Sequence, residues 1–123
     1  MSIRIAIVGL GRVGSSFLEA LLAHPSAGVT VLAVAETGET PGVARAREVG
    51  IPVRRLEDIV ALCEEVDVIF DLTGQADARR ALREGMAETG NVHTVIAPEV
   101  MARLTWSLLE GGELPDVHEK TGY

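Results

Sequence analysis

The sequence predicts an α/β protein: a doubly wound parallel sheet of five strands in the order 3-2-1-4-5, with helices on both faces. Apolar strand-like runs alternate along the chain with segments of helical periodicity. The connections are short, and parallel strands joined by short connections require right-handed crossovers through helices. A glycine turn, Gly9-Leu10-Gly11-Arg12-Val13-Gly14, leads from the first strand-like run directly into the first helical one.

The run Ile3-Arg4-Ile5-Ala6-Ile7-Val8 reads as the first strand. Residues 12–23 read as the first helix, because Val13, Phe17, Leu18 and Leu21 share one face while Arg12, Ser15, Ser16 and Glu19 take the other. His24-Pro25 ends it, and a histidine there suits the negative end of the helix dipole. Residues 29–35 are continuously apolar, as a strand covered on both faces should be. Pro41 fits a first helical position, a second helix is expected to residue 49, and Gly50 closes it. The third strand, residues 51–54, contains Pro52, which cannot donate to a ladder and so belongs at the sheet edge. A third helix over 56–65 carries Leu56, Ile59, Val60 and Cys63 inward, so Cys63 is expected to be a buried thiol acting as a small hydrophobe. The fourth strand is expected over 66–71, a helix over 75–89 capped by Gly90, the fifth strand over 92–96, and a last helix from Pro98. His93 then falls inside the fifth strand, where a hydrogen-bonded core histidine is expected. Residues 1–110 make one domain; residues 111–123, polar and glycine-rich, are expected to be a loosely structured tail with His118 solvated.

At 123 residues the chain is long enough for one domain with a sizeable core. Its net charge of −7 speaks against nucleic acid or an anionic membrane, which need a lysine and arginine excess. It opens directly in a strand and carries one cysteine, so a cytoplasmic protein without signal peptide or disulfide is expected. One Cys and three scattered His give no metal site, and no nucleophile and base are patterned together, so no catalytic residue is assigned.

The glycine turn carries the binding chemistry. A strand followed by G-x-G-x-x-G and a helix is the phosphate cradle of dinucleotide-binding βαβ units. Gly9 allows the tight turn, Gly11 leaves room for a pyrophosphate to approach the backbone, and Gly14 lets the helix lie close on the sheet. The first N–H groups of the helix, from Arg12 and Val13 onward, face the anion, and the Arg12 guanidinium can reach it. Glu36, ending the second strand, can accept from both hydroxyls of an adenosine ribose and repel a 2′-phosphate, so NAD is expected in preference to NADP. No arginine directly follows Glu36 to reverse that choice. Because ligands sit beyond the carboxyl ends of the strands at the switch point, Asp71-Leu72-Thr73-Gly74-Gln75 and Ala97-Pro98-Glu99 should line the same crevice.

With Gly9 to Gly14, Val34-Ala35-Glu36 and Asp67-Val68-Ile69-Phe70-Asp71-Leu72-Thr73-Gly74 in view, the chain resembles the N-terminal Rossmann-type NAD(P)-binding domain shared by homoserine dehydrogenases, dihydrodipicolinate reductases and glucose-fructose oxidoreductases. The resemblance implies Gly9, Gly11, Arg12, Val13, Gly14, Glu36, Thr73 and Gly74 as cofactor contacts. Those dehydrogenases carry their substrate pocket and oligomerisation sheet in a following domain. Where the glucose-fructose type has Glu-Lys-Pro with a catalytic lysine, this chain has Ala97-Pro98-Glu99. The segments 40–53 and 71–74 are also similar to NAD-binding-type domains of bacterial signalling proteins, which implies sensing of a dinucleotide. Alternatives are a small NAD-dependent oxidoreductase whose substrate site forms across a homo-oligomer, and a scaffold that kept the fold without the ligand.

The last helix is apolar on two sides. Val100, Met101, Leu104 and Leu108 share a face expected to pack on the sheet. Ala102, Trp106 and Leu109 make a second stripe, expected to anchor a homodimer or partner protein, unless Trp106 is covered by the 111–123 tail.

Overall fold

The computed structural model describes residues 1–114. Its N-terminal strand, β1 (Ile3–Val8), lies at the centre of the sheet, with β2 (Val29–Ala35) on one side and β4 (Val68–Asp71) on the other. The two-residue β3 (Val53–Arg54) and β5 (Val95–Ala97) form the edges, all pairings are parallel, and the order is β3-β2-β1-β4-β5, as the sequence predicts. Pro52 precedes the edge strand β3 and its carbonyl accepts from Val34 N at 3.0 Å, so it joins the sheet as an acceptor without needing a donor.

Alternation along β1 divides the core in two. Ala6 and Val8 face α3 (Leu56–Val60) and α4 (Ala76–Thr89), where Ile59, Val60, Ile69 and Leu82 close around them. Ile7 faces α1 (Arg12–Ala23), α2 (Pro41–Glu48) and α5 (Glu99–Glu110), among Phe17, Leu18, Val34, Val43 and Ala102. Phe17 and Phe70 meet at 4.8 Å between ring centroids, tilted by 58°. Each such fully buried aliphatic or aromatic side chain contributes about 2 kcal/mol relative to exposure, which is why both faces must be covered for the sheet to persist.

Local signals set most of the helix ends. Pro41 stands at the first turn of α2, and the Thr40 side chain accepts from Val43 N at 3.2 Å. Gly90 caps α4 in the left-handed conformation (φ 67°). No described helix is long and apolar enough to cross a membrane.

Several expectations change. The third and fourth strands each start two residues later than expected, at Val53 and Val68. The third helix stops at Val60, and Cys63–Glu65 is a separate 3₁₀ turn in which Cys63 has φ 51° and is half-buried, because the chain must turn back to enter β4. The fifth strand starts at Val95, so His93 lies in the preceding loop, exposed, with Nε2 2.6 Å from Asp67 Oδ1. Asn91 organises that loop: its Oδ1 accepts from His93 N and Thr94 N, and such side-chain competition for backbone donors excludes strand pairing there. The last helix is turned round: Ala102 is fully buried and Trp106 packs on the α1 and α2 face of the core, while Val100, Met101, Leu104 and Leu108 are exposed. Ala102 has the smallest side chain on α5 and permits the closest approach to the core, whereas the aliphatic face would hold the helix away. Trp106 is therefore a packing residue. The start of the expected loose tail is also held, since Leu114 is buried and its carbonyl accepts from Arg103 Nη1 at 3.1 Å. The rest of that tail, with His118, lies outside the described residues.

His24 ends α1 as expected, and its Nε2 lies 2.7 Å from Glu110 Oε2, joining the C-terminal ends of α1 and α5. At the N-terminal edge of the sheet, Asp67 ties three segments together. Its Oδ2 accepts from Arg4 N (2.8 Å) and Arg4 Nε (3.2 Å), and its Oδ1 meets Arg4 Nη2 (3.2 Å) and His93. Side-chain hydrogen bonds from Arg4 first, then the Arg4 backbone N–H and His93, hold the Asp67 carboxyl far below the usual carboxylate range. A depressed folded pKa contributes stability that is complete above the unfolded value, about 3.9, and is lost as pH falls below it. The melting temperature of the parent should accordingly drop as pH is lowered from 5 to 2. Asp67→Asn should melt below the parent at pH 7, and the gap should narrow across that window without closing; a gap that stays constant with pH would show that the Asp67 charge contributes no stability.

Candidate functional site

The turn after β1 is built on contacts that exclude a Cβ. Gly9 has φ 98°, and a Cβ there would lie 2.7 Å from Thr73 N and 2.8 Å from the Leu72 carbonyl carbon. The turn leaving β1 therefore rests directly on the turn leaving β4. One helical turn on, a Cβ at Gly14 would lie 2.0 Å from Gly9 O, so α1 begins against the loop that precedes it. Gly11 differs from both: its φ of −72° is ordinary, and a Cβ there would meet nothing within 4 Å. The space beside Gly11 opens into a cleft of about 700 Å³ across the carboxyl ends of β1, β2, β3 and β4.

This cleft brings together Gly9, Gly11, Arg12, Val13, Glu36 and Thr73, six of the eight residues predicted as cofactor contacts. Gly14 stands behind the loop in its packing role, and Gly74, with φ 66°, shapes the turn after β4 without lining the cleft. Ala97, Pro98 and Glu99 are not part of it. Pro98 borders a separate hollow of about 230 Å³ with Asp71, Arg79, Arg83 and Ile96, and Glu99 pairs with Arg103 at 2.9 Å. A further hollow of about 460 Å³, lined by Arg4, Cys63 and Asn91 among others, is on the opposite edge of the sheet, away from the helix N-terminus.

Two side chains fix the shape of the rim. Glu36 Oε1 accepts from Leu10 N at 2.7 Å and Oε2 from Gly38 N at 2.9 Å, so the carboxylate ties the glycine turn to the turn after β2. Asp71, buried at the end of β4, accepts at Oδ1 from Thr73 N (3.2 Å) and Thr73 Oγ1 (2.8 Å), and Thr73 Oγ1 in turn accepts from Gln75 N (3.1 Å). Its Oδ2 has no hydrogen-bond partner among the described residues but lies 3.5 Å from Arg79 Nε, a charge pair that makes its burial tolerable.

The cleft carries both signs of charge, with Arg12, Arg54 and Arg55 facing it alongside Glu36 and Glu57, and the positive end of α1 adjoins its Gly11 side. α1 points its first N–H groups, unpaired within the helix, at the Gly11 side, and Arg12 lines the cleft with no hydrogen bond or ion pair among the described residues. Sequence reasoning missed the arginines at the end of β3 and the start of α3. Arg54 and Arg55 also line the cleft, although they are 18 and 19 positions beyond Glu36. The signal was available in principle: parallel pairing of β2 with β3 places Arg54 opposite Ala35, one residue before Glu36.

The chain matches, over residues 9–105, the family described as homoserine dehydrogenase, NAD binding domain. It is 32% identical over 100 residues to an acetaldehyde dehydrogenase of Roseiflexus sp., a match covering 79% of this chain and 32% of that protein. It is 34% identical over 80 residues to acetaldehyde dehydrogenase 2 of Salinispora arenicola, covering 63% of this chain and 27% of that one. The chain thus spans about a third of the length of the curated relatives it matches. A structure assigned as a myo-inositol dehydrogenase of Sinorhizobium meliloti superposes with a TM-score of 0.60 at 23% identity, over 91% of this chain and 35% of that one. S. aureus homoserine dehydrogenase gives 0.57 at 13% identity, over 90% and 30%. These likenesses establish the fold.

The glycines separate packing from ligand space in a way that thermal unfolding can check. Gly14→Ala should lose on the order of 3 kcal/mol, because its methyl group meets a backbone oxygen that cannot move aside. Gly11→Val should stay within about 1 kcal/mol of the parent, the cost of a β-branched residue at a helix N-cap. Equal losses for the two would show that the space beside Gly11 is closed in solution.

Proposed function

The chain belongs to the family of NAD-binding domains of homoserine dehydrogenases, and from that premise we propose that it is a dinucleotide-binding or sensing module that holds NAD in the cleft above β1, β2 and β4 without supplying a catalytic side chain. The observation that carries this reading is the open space at Gly11 beside the first turn of α1, where a diphosphate would meet unpaired backbone N–H groups and the Arg12 guanidinium. The residues present fit the group. Glu36 already holds one N–H on each carboxylate oxygen, and each oxygen retains capacity for a second donor, so both ribose hydroxyls can be received without breaking the rim. NAD, when bound, supplies a hydride acceptor. Ala97, Pro98 and Glu99 do not line the cleft, and Glu99 is engaged by Arg103, which supports binding in preference to turnover.

Isothermal titration with NAD, NADH, NADP and NADPH tests the proposal. The parent should bind NAD more tightly than NADP, and Gly11→Val should abolish binding while remaining folded. Absence of binding by all four nucleotides would leave a scaffold that kept the fold alone, and turnover of a substrate by the isolated chain would replace the module reading by an enzymatic one.

One observation favours a second reading, an oxidoreductase whose substrate site forms across a homo-oligomer: α5 exposes the contiguous aliphatic positions Val100, Met101, Leu104 and Leu108. If copies associate, they do so through this face and not through Trp106. Sedimentation should then show a parent dimer that Leu104→Glu dissociates, and a parent monomeric at high concentration rejects that reading.

A further inference from the structure

We infer that Arg54 sets how strictly the site prefers NAD to NADP, acting as the cation that receives a ribose 2′-phosphate beside Glu36; the inference rests on the dinucleotide reading above. Arg54 is the last residue of β3 and the register partner of Ala35, so its side chain leaves the sheet at the same edge as Glu36, and both line the cleft. The other charges of the cleft have separate places. Arg55 pairs with Glu57 at 2.5 Å, and Arg12 stands at the start of α1, next to Gly11. The Arg54 guanidinium has no hydrogen bond or ion pair among the described residues, which leaves it as the uncommitted cation on the ribose side.

Glu36 cannot turn away from an incoming phosphate, because Leu10 N and Gly38 N hold one carboxylate oxygen each. Its repulsion of a 2′-phosphate is therefore fixed, and what can offset it is a mobile cation supplied from elsewhere. A guanidinium on an exposed, flexible stem from the adjacent strand meets that need, since it can pair bidentately with a phosphate while leaving the carboxylate bound to the backbone. NAD gains nothing from this contact. The preference for NAD is thus narrower than Glu36 alone would make it, and it should widen when Arg54 is neutralised.

Titration of ADP-ribose and its 2′-phosphorylated counterpart into the parent, Arg54→Gln and Arg54→Lys isolates the adenosine side. Arg54→Gln should weaken the phosphorylated ligand by about tenfold or more, the scale of a lost charge-assisted contact, and change ADP-ribose by less than about twofold. Arg54→Lys should recover most of the loss, and the difference should shrink as salt is raised. Equal weakening of both ligands, no change in either, or a parent that binds ADP-ribose but never the phosphorylated form would each overturn the inference while leaving the dinucleotide reading intact. A parent that binds neither ligand overturns both.

Discussion

The fold depends on one close approach between backbones. The turn leaving β1 lies on the turn leaving β4 with no room for a side chain, since a Cβ at Gly9 would fall 2.7 Å from Thr73 N. That contact fixes the direction in which the chain starts α1, and the packing of Gly14 on Gly9 O, where a Cβ would fall at 2.0 Å, fixes how close the helix then lies. An ordinary L-residue at either position would lift the helix away from the sheet and turn its N-terminus from the cleft. Recognition of an anion by backbone N–H groups requires that those groups be exposed, fixed and pointed outward together, and two glycines acting against their neighbours supply this condition. The third glycine, Gly11, has no neighbour within 4 Å of a hypothetical Cβ and leaves the space that the other two arrange.

Around this contact the rim of the cleft is held by carboxylates that spend their acceptors on backbone donors. Glu36 spans from the glycine turn to the turn after β2, and Asp71 with Thr73 winds the turn after β4. A site so prepared orders little on binding, which lowers the entropic cost of holding a long, flexible ligand. The same use of Glu36 is the premise of the role inferred for Arg54 on the adjacent strand. A carboxylate already committed to the backbone cannot adapt, so adaptation falls to the exposed side chains nearby, and the sheet brings Arg54 to that place.

The two ends of the sheet divide the work. At the carboxyl end lie the cleft and, among the described residues, two arginines without an ion-pair partner, Arg12 and Arg54, where such charge is tolerated because water reaches it. At the opposite end, Asp67 collects Arg4 and His93 and joins β1, β4 and the loop before β5. Between them, the core is closed on one side by α5, a helix apolar on two faces whose orientation is set by fit: the face with Ala102 and Trp106 goes in, and the bulkier aliphatic face stays out.

The amino-acid sequence by itself determined the order and direction of the five strands, the bounds of α1, the place of the glycine turn after β1, and the acidic residue that follows β2. These are legible because they follow from local rules: periodicity, the missing N–H of Pro52, and the absence of a Cβ at glycine. The end of α3 before Cys63, the late start of β5, the exposed place of His93, the inward face of α5 and the arrival of Arg54 at the cleft that Glu36 also lines were decided by the tertiary structure. Each turns on a partner distant in sequence, Asp67 for His93, the core for Ala102, Ala35 for Arg54. A pattern of residue types states that a helix has two apolar faces or that an arginine follows a strand. Which face is buried, and which carboxylate the arginine stands beside, depends on distances that exist only once the sheet has assembled and the side chains compete for the same space.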